Sequence, residues 1–239
     1  LMRGRFQGLS NVLLFNWPYY ALAGASTVVC SIAAVLVSTP WTIAFGVAAA
    51  GSFYYIAASL LASHIVYDRS DLYRLGWLSR LPTTPRSAAN VNAGFDETTE
   101  LLRSALPGLC VDSYDFFSAE ENTEPSIARA RARYPAKSHL LADGLRGTYD
   151  TIFLLLSAHE MRSEESRVQL FRDLSQGRSS GGQIVLVEHL RNAANFLAYG
   201  PGFMHFHSDR TWRKSIQKSG AAVKLDFAIT PFLRCYVIQ

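Results

Sequence analysis

Two histidines in this chain stand next to acids, in Ser157-Ala-His-Glu160 and in Glu188-His189. An imidazole accepts and returns a proton near neutral pH, and a neighbouring carboxylate fixes which ring nitrogen carries it. His159 or His189, with Glu160 or Glu188 as the orienting acid, therefore has the chemistry to deprotonate or orient a phenol-like hydroxyl. The plainer alternative for each is a packed polar residue that stabilises a loop. Residues 192–207 have a different character, aromatic, apolar and punctuated by glycine. Phe196, Tyr199, Phe203, His205 and Phe206 read as contacts for an aromatic or isoprenoid group, as a membrane-facing surface, or as core packing. His205 and His207, at spacing two, invite a metal reading together with His189 or an acid. Two candidate ligands do not make a site, and no metal is assigned.

These residues need a frame, and the apolar pattern supplies one. Strands are expected at 88–92, 109–117, 138–141, 149–156 and 183–188, with a closing pair at 223–229 and 232–238 turning at Thr230-Pro231. Helices are expected at 96–106, stopped by Pro107-Gly108, and at 124–134, with Thr123 as cap and Pro125 early. Two more cover 163–174 and 209–219. Alternation of strand and helix predicts an α/β domain, an open parallel sheet covered by helices. Such sheets place ligands at the carboxyl ends of their strands, here near Gly94, Asp115, Asp143, 157–160 and 188–189.

The first part of the chain is of another kind. Between Arg5 and Asp68 lie 62 residues without Asp, Glu, Lys or Arg, whereas 68–239 holds all 19 acids and 21 of the 23 bases. A purely soluble globule, a disordered chain and a small disulfide scaffold all fit this poorly. So does a nucleic-acid binder, whose basic residues would form a concentrated stripe. Cys30, Cys110 and Cys235 are odd in number and far apart, which suits a reducing compartment.

Residues 12–37 and 41–66, separated by Ser38-Thr39-Pro40, are each long enough to cross about 30 Å of hydrocarbon. Ser26, Thr27 and Ser31 are placed to bond carbonyls within a helix or across the pair, and Gly46, Ala50 and Gly51 give a small-residue packing face. Arg3 and Arg5 precede the first run and Arg69, Arg74 and Arg80 follow the second, which puts both termini in the cytoplasm. In 68–81, Leu72, Leu75 and Leu78 either dip into the bilayer from an amphipathic strip or open the soluble domain. Arg129, Arg131 and Arg133 add positive charge that could face anionic lipid.

The order of elements over about 88–239 resembles class I S-adenosylmethionine-dependent methyltransferases. The more specific pieces are Asn92-Ala-Gly-Phe-Asp-Glu97, the acidic end of the second strand with helix 126–134, and Tyr149-Asp150. Gly181-Gly182 before a strand ending Val187-Glu188-His189, and the tail from Ile229 to Ile238, complete the likeness. It implies a Rossmann-like methyltransferase fold, a mostly parallel seven-stranded sheet with an antiparallel C-terminal strand pair, which the two transmembrane helices expected from the apolar runs would precede. It implies S-adenosylmethionine as cofactor: Gly94 for close backbone approach, Asp96 or Glu97 for the ammonium, Asp115 (or Asp112) for the ribose, Asp143 for the adenine, and Ser157 in the following loop. In that family, insertions at the place of 192–207 commonly shape the acceptor pocket. One departure stands out. The family's first loop has two or three glycines, and here only Gly94 is in place, before Phe95 and Asp96. Either the cofactor lies on an altered loop or the fold has lost it.

The expected organisation is a membrane hairpin over 1–67, a membrane-surface segment and linker over 68–87, and a methyltransferase-like catalytic domain over 88–239. The expected function is methyl transfer from S-adenosylmethionine to a lipophilic small molecule such as a phenolic lipid, quinone or polyene precursor. The expected location is a plasma or inner membrane, crossed twice, with the catalytic domain in the cytoplasm. The expected partners are the bilayer, that acceptor and a second copy of the chain, with no nucleic acid. The alternative is a membrane-tethered scaffold on a degenerate methyltransferase fold.

Overall fold

The computed structural model describes residues 4–120, 122, 124–135 and 137–239; Arg3 of the flanking charge and Thr123 of the expected cap lie outside them. The chain begins with α1 (Gln7–Phe15), α2 (Trp17–Leu36) and α3 (Trp41–Ser63), and α3 continues through a π-helical stretch, His64–Arg69. The first apolar run is thus two helices rather than one. It breaks at Asn16, where Pro18 begins α2 with a backbone that has no N–H to give.

At 1.5 Å per residue α2 spans about 30 Å, while Trp41–Arg69 spans about 43 Å, longer than a hydrocarbon core. Both are long and apolar enough to cross a membrane. Val35 and Leu36, 84% and 78% exposed, belong to an apolar surface that none of the described residues covers. Across the hairpin the Ser26 and Ser52 hydroxyls meet at 3.3 Å, and Thr27 and Ser31 donate to carbonyls of their own helix. The expected small-residue face is displaced: a side chain at Gly46 or Gly51 would meet open space, and Ala49 is the buried position.

The charged region folds as expected. Seven strands, β1 (Ser87–Asn92), β2 (Cys110–Asp115), β3 (His139–Leu140), β4 (Tyr149–Leu155), β5 (Arg178–His189), β6 (Val223–Thr230) and β7 (Leu233–Ile238), form one sheet ordered β3-β2-β1-β4-β5-β7-β6. Pairing is parallel from β3 to β5, and β7 runs antiparallel to both β5 and β6. The helices are α4 (Thr99–Ala105), α5 (Pro125–Arg133), α6 (Glu164–Gln176), α7 (Ala193–Tyr199) and α8 (Asp209–Lys218). Successive strand residues face opposite ways, so Ile152 and Leu154 join Phe171 and Trp212 on one side of the sheet while Phe153 joins the other.

That second side settles the reading of 68–81. Leu72, Leu75 and Leu78 are 2%, 4% and 9% exposed and pack with Phe153, Val185 and Val237 under the sheet, so they do not dip into a bilayer. The hairpin is tied to this core by Asp68, whose fully buried carboxylate accepts the N–H groups of Gly8 and Leu9, at 2.7 and 3.0 Å, and faces His64. An acid there answers the open donors at the start of α1. The arginine run is likewise internal in part: Arg129 donates to the Phe15 carbonyl at 2.5 Å.

Leu72→Ala separates the two roles of this segment. It should cost about 2–4 kcal/mol of stability, read as a lowered melting temperature in detergent, with little change in vesicle partitioning. Unchanged melting with weakened partitioning would return the leucine to the membrane surface.

Candidate active site

The carboxyl ends of β4 and β5 bring two histidines to one cavity, by different routes. Glu188 ends β5 with no exposure and accepts the backbone N–H of His159 at 3.1 Å and its Nδ1–H at 2.8 Å. The Nε2 of His159 is left facing Glu160, at 3.5 Å. Burial lowers the pKa of His159, but the charges of Glu188 and Glu160 outweigh it and hold the ring above its ordinary value. Burial works against ionisation of Glu160 as well, and the facing His205 and His159 bring its pKa below the usual carboxylate range.

His189 takes its partners elsewhere. On a strand it faces away from Glu188, so the acid beside it in sequence cannot serve it. Its Nδ1–H donates to Asn195 Oδ1 at 3.1 Å, while Asn195 Nδ2 is spent on the Leu190 and Phe232 carbonyls. Its Nε2 accepts from the Tyr67 hydroxyl at 2.9 Å, and Phe206 stacks on the ring at 4.6 Å. Burial pushes its pKa down to about 3. His189 is a neutral, fully engaged ring that joins the end of the apolar hairpin to the sheet.

The cavity between hairpin and sheet has a volume of about 790 Å³. Tyr20, Ser63 and Tyr67 line it from the hairpin, and His159, Glu160, Tyr199, His205 and Phe206 from the charged domain. The hydroxyls of Ser63 and Tyr199 are buried there, facing each other and meeting no other polar partner. Burial raises the Tyr199 pKa to about 12, which keeps it a neutral donor. Of the aromatic residues singled out in 192–207, Phe196 and Phe203 stack on each other, and Phe196 also meets Tyr55 of α3. They hold the segment against the hairpin and do not line the cavity. His205 and His207 diverge: His205 faces Glu124 and Glu160, whereas His207 is buried against Trp212 and the Met161 carbonyl. The pair does not converge with His189 on one ion.

The residues expected to meet a cofactor lie together at the ends of β1 and β2, with one addition the sequence did not announce. Gly94 turns with φ +82°, and a side chain there would overlap the guanidinium of Arg131 from α5. That guanidinium pairs with Asp115 at 2.7 Å, packs on Phe117 and reaches toward the Ala93 carbonyl. Asp96 is engaged within its own loop, accepting from the Thr98 and Thr99 N–H groups and from Asn90 and Ser113. Glu97 accepts from Asn11 of α1 and from Tyr73. Ser157 donates to the Val91 carbonyl, Asp112 accepts from Tyr149, and Asp143 is exposed. A more open groove of about 730 Å³ runs from Phe116 and Leu141 along α6.

These features fit a nucleoside cofactor on one condition. A buried carboxylate at the end of β2 is the right acceptor for two ribose hydroxyls, and the groove beside Phe116 has room for a flat ring. The same carboxylate now holds Arg131, whose side chain is one-third exposed and long enough to swing out. Binding therefore exchanges one partner of Asp115 for another.

The strand order and the antiparallel β7 are those of the class I S-adenosylmethionine-dependent methyltransferase fold, here carrying two apolar N-terminal helices. The chain is similar in structure to the pyocyanin biosynthetic protein PhzM, with TM-score 0.56 and 16% identity over 92% of this chain and 70% of that one. It is also similar to the mitomycin 7-O-methyltransferase MmcR, with TM-score 0.53 and 14% identity over 100% of this chain and 73% of that one. A methyltransferase from Clostridium acetobutylicum ATCC 824 superposes with TM-score 0.51 and 10% identity, over 79% and 98% of the two chains. No protein-family model and no curated protein matches the chain.

The neutral His189 gives a stability test with a definite sign. Its folded pKa lies below the unfolded value of about 6.5, so below that pH the unfolded chain takes up a proton the folded chain refuses. Its contribution is complete above about pH 6.5 and is lost as pH falls towards 3, by up to about 1.4 kcal/mol per unit. Burial also pushes the His207 pKa down to about 3, so melting temperatures from pH 8 to 5 should show the summed slope of both rings, and His189→Gln should remove about half of it.

Proposed function

We propose that this chain is a membrane-anchored methyltransferase that uses S-adenosylmethionine to methylate a hydroxyl on a lipophilic small molecule, with both termini and the charged domain in the cytoplasm. The observation that carries the reading is the cavity: one wall belongs to the apolar hairpin and the opposite wall to His159, Glu160 and His205. An acceptor dissolved in the bilayer meets polar chemistry on leaving it.

The cofactor, when bound, supplies an electrophilic methyl group. Asp115 would hold its ribose after releasing Arg131, Gly94 would let the backbone approach it, and the loops bearing Asp143 and Ser157 would flank it. Asp96 and Glu97 contribute by holding the first loop rather than by direct contact, since their oxygens already have partners. On the acceptor side His159 is the proton acceptor: Glu188 fixes its Nδ1–H and leaves Nε2 for the hydroxyl. Tyr199 and Ser63, buried and facing only each other, offer hydrogen bonds to an acceptor's polar atoms. His189 acts through Tyr67 and Phe206 as a positioning residue. The remaining gain is alignment of two bound reactants.

The guanidinium beside Gly94 favours a second reading, a membrane-tethered scaffold that keeps the fold without the cofactor. Calorimetry with S-adenosylhomocysteine on the detergent-solubilised chain separates the two. An enzyme should bind at micromolar concentration, Asp115→Ala should weaken binding at least about tenfold, and Arg131→Ala should tighten it by removing the competitor. Methyl transfer from labelled cofactor into a membrane lipid extract would then identify the acceptor. A folded, monodisperse preparation that binds nothing, with Arg131→Ala equally silent, supports the scaffold.

A further inference from the structure

At the polar end of the cavity three side chains meet that sequence spacing does not connect. Each of His159, Glu160 and His205 can offer one ligand atom within 4.8 Å of the other two. The Glu160 oxygen lies 3.5 Å from His159 Nε2 and 3.6 Å from His205 Nε2. A cation with bonds of about 2.1 Å in a tetrahedral arrangement separates its ligand atoms by about 3.4 Å, so these distances leave room for one ion.

The groups behind the ligands agree. His159 turns its Nδ1 to Glu188 at 2.8 Å, and His205 turns its Nδ1 to Glu124 at 3.1 Å. A metal-bound histidine characteristically gives its second ring nitrogen to a carboxylate, which fixes the tautomer and presents the other nitrogen. Glu160 is 5% exposed, and its Oε2 is buried with no hydrogen-bond partner. The buried charge is thus answered only through Oε1, the oxygen that faces both histidines, and a cation at Oε1 would offset the cost of burying it. Charge points the same way. Three carboxylates, Glu124, Glu160 and Glu188, surround the two rings, against the single guanidinium of Arg162.

We infer that His159, Glu160 and His205 form a binding site for a divalent first-row transition metal, with an open coordination position facing the cavity. Two imidazoles and one carboxylate with an open position are the donor set of catalytic zinc sites and of non-haem iron. An acceptor hydroxyl reaching from the membrane side would occupy the open position, and coordination would lower its pKa so that its proton leaves to solvent at the cavity mouth and not to His159, whose Nε2 is then a ligand. Arg162 is the opposing group: its guanidinium lies against His205 and pairs with Glu124 at 3.1 Å. It is one-third exposed and rotates outward when the ion enters.

The inference stands on the cluster's geometry and not on methyl transfer, so metal binding and S-adenosylhomocysteine binding are read separately. The test is titration of chelator-stripped, full-length protein in detergent with Zn²⁺, and with Co²⁺ followed by visible absorption. One ion per chain should bind at micromolar concentration or tighter, and Co²⁺ should give the intense d–d bands of a four-coordinate site. Glu160→Gln and His205→Ala should each weaken binding at least about 100-fold, and Glu124→Gln by about 10–100-fold. Arg162→Gln should tighten it, a gain that misfolding cannot produce, and Glu165→Gln on exposed α6 surface should change nothing. Co²⁺ bands of a hexaaqua ion, no saturable site, or affinity indifferent to Glu160→Gln and Arg162→Gln would overturn the site. Failure of S-adenosylhomocysteine to bind while Zn²⁺ still does would overturn the methyltransferase reading alone.

Discussion

A carboxylate shut away from water has to be answered by donors, and Glu188 is answered by two N–H groups of a single residue, His159. That requirement draws the turn after β4 against the end of β5 and removes the ring's freedom to choose a tautomer. Everything on the polar side of the cavity follows. Glu160 comes to face the free ring nitrogen, and His205 closes over it from the segment after α7. Were Glu188 exposed, water would satisfy it and nothing would specify where His159 points.

The second tie is between hairpin and sheet. A pair of apolar helices has no reason of its own to adopt one angle to a charged domain, and contacts along its length impose it. Tyr67 meets His189, Asn11 donates to Glu97, the Phe15 carbonyl accepts from Arg129, and Tyr54 donates to the Leu197 carbonyl at 3.1 Å. Loss of the hairpin would therefore remove a wall of the cavity.

The architecture was legible because burial on both faces of a sheet leaves a mark in one dimension. The runs at 149–156 and 183–188 are apolar for no other reason, and the closing pair is set by its turn. The break at Asn16 was also marked, by Pro18, but a uniformly apolar background hid it. Leu72, Leu75 and Leu78 carry the same three-residue spacing whether they face lipid or protein, so sequence left both open and packing decided. In the site, strand alternation already forbade Glu188 from serving His189. What no local pattern could show was Asn195, Glu124, Tyr67 and Arg131 as partners. Arg131 in particular looks like one of three surface arginines until the fold brings α5 against Gly94.

The length of Trp41–Arg69 has a consequence for which molecules such an anchor can serve. In the orientation proposed above, a helix that outruns the hydrocarbon by about 13 Å would hold Tyr67 above the acyl chains. The reactive group of a guest would then ride at headgroup altitude while its tail stays below. Compounds whose polar atom sits midway along a greasy chain would be rejected by position, before shape or acidity is ever consulted.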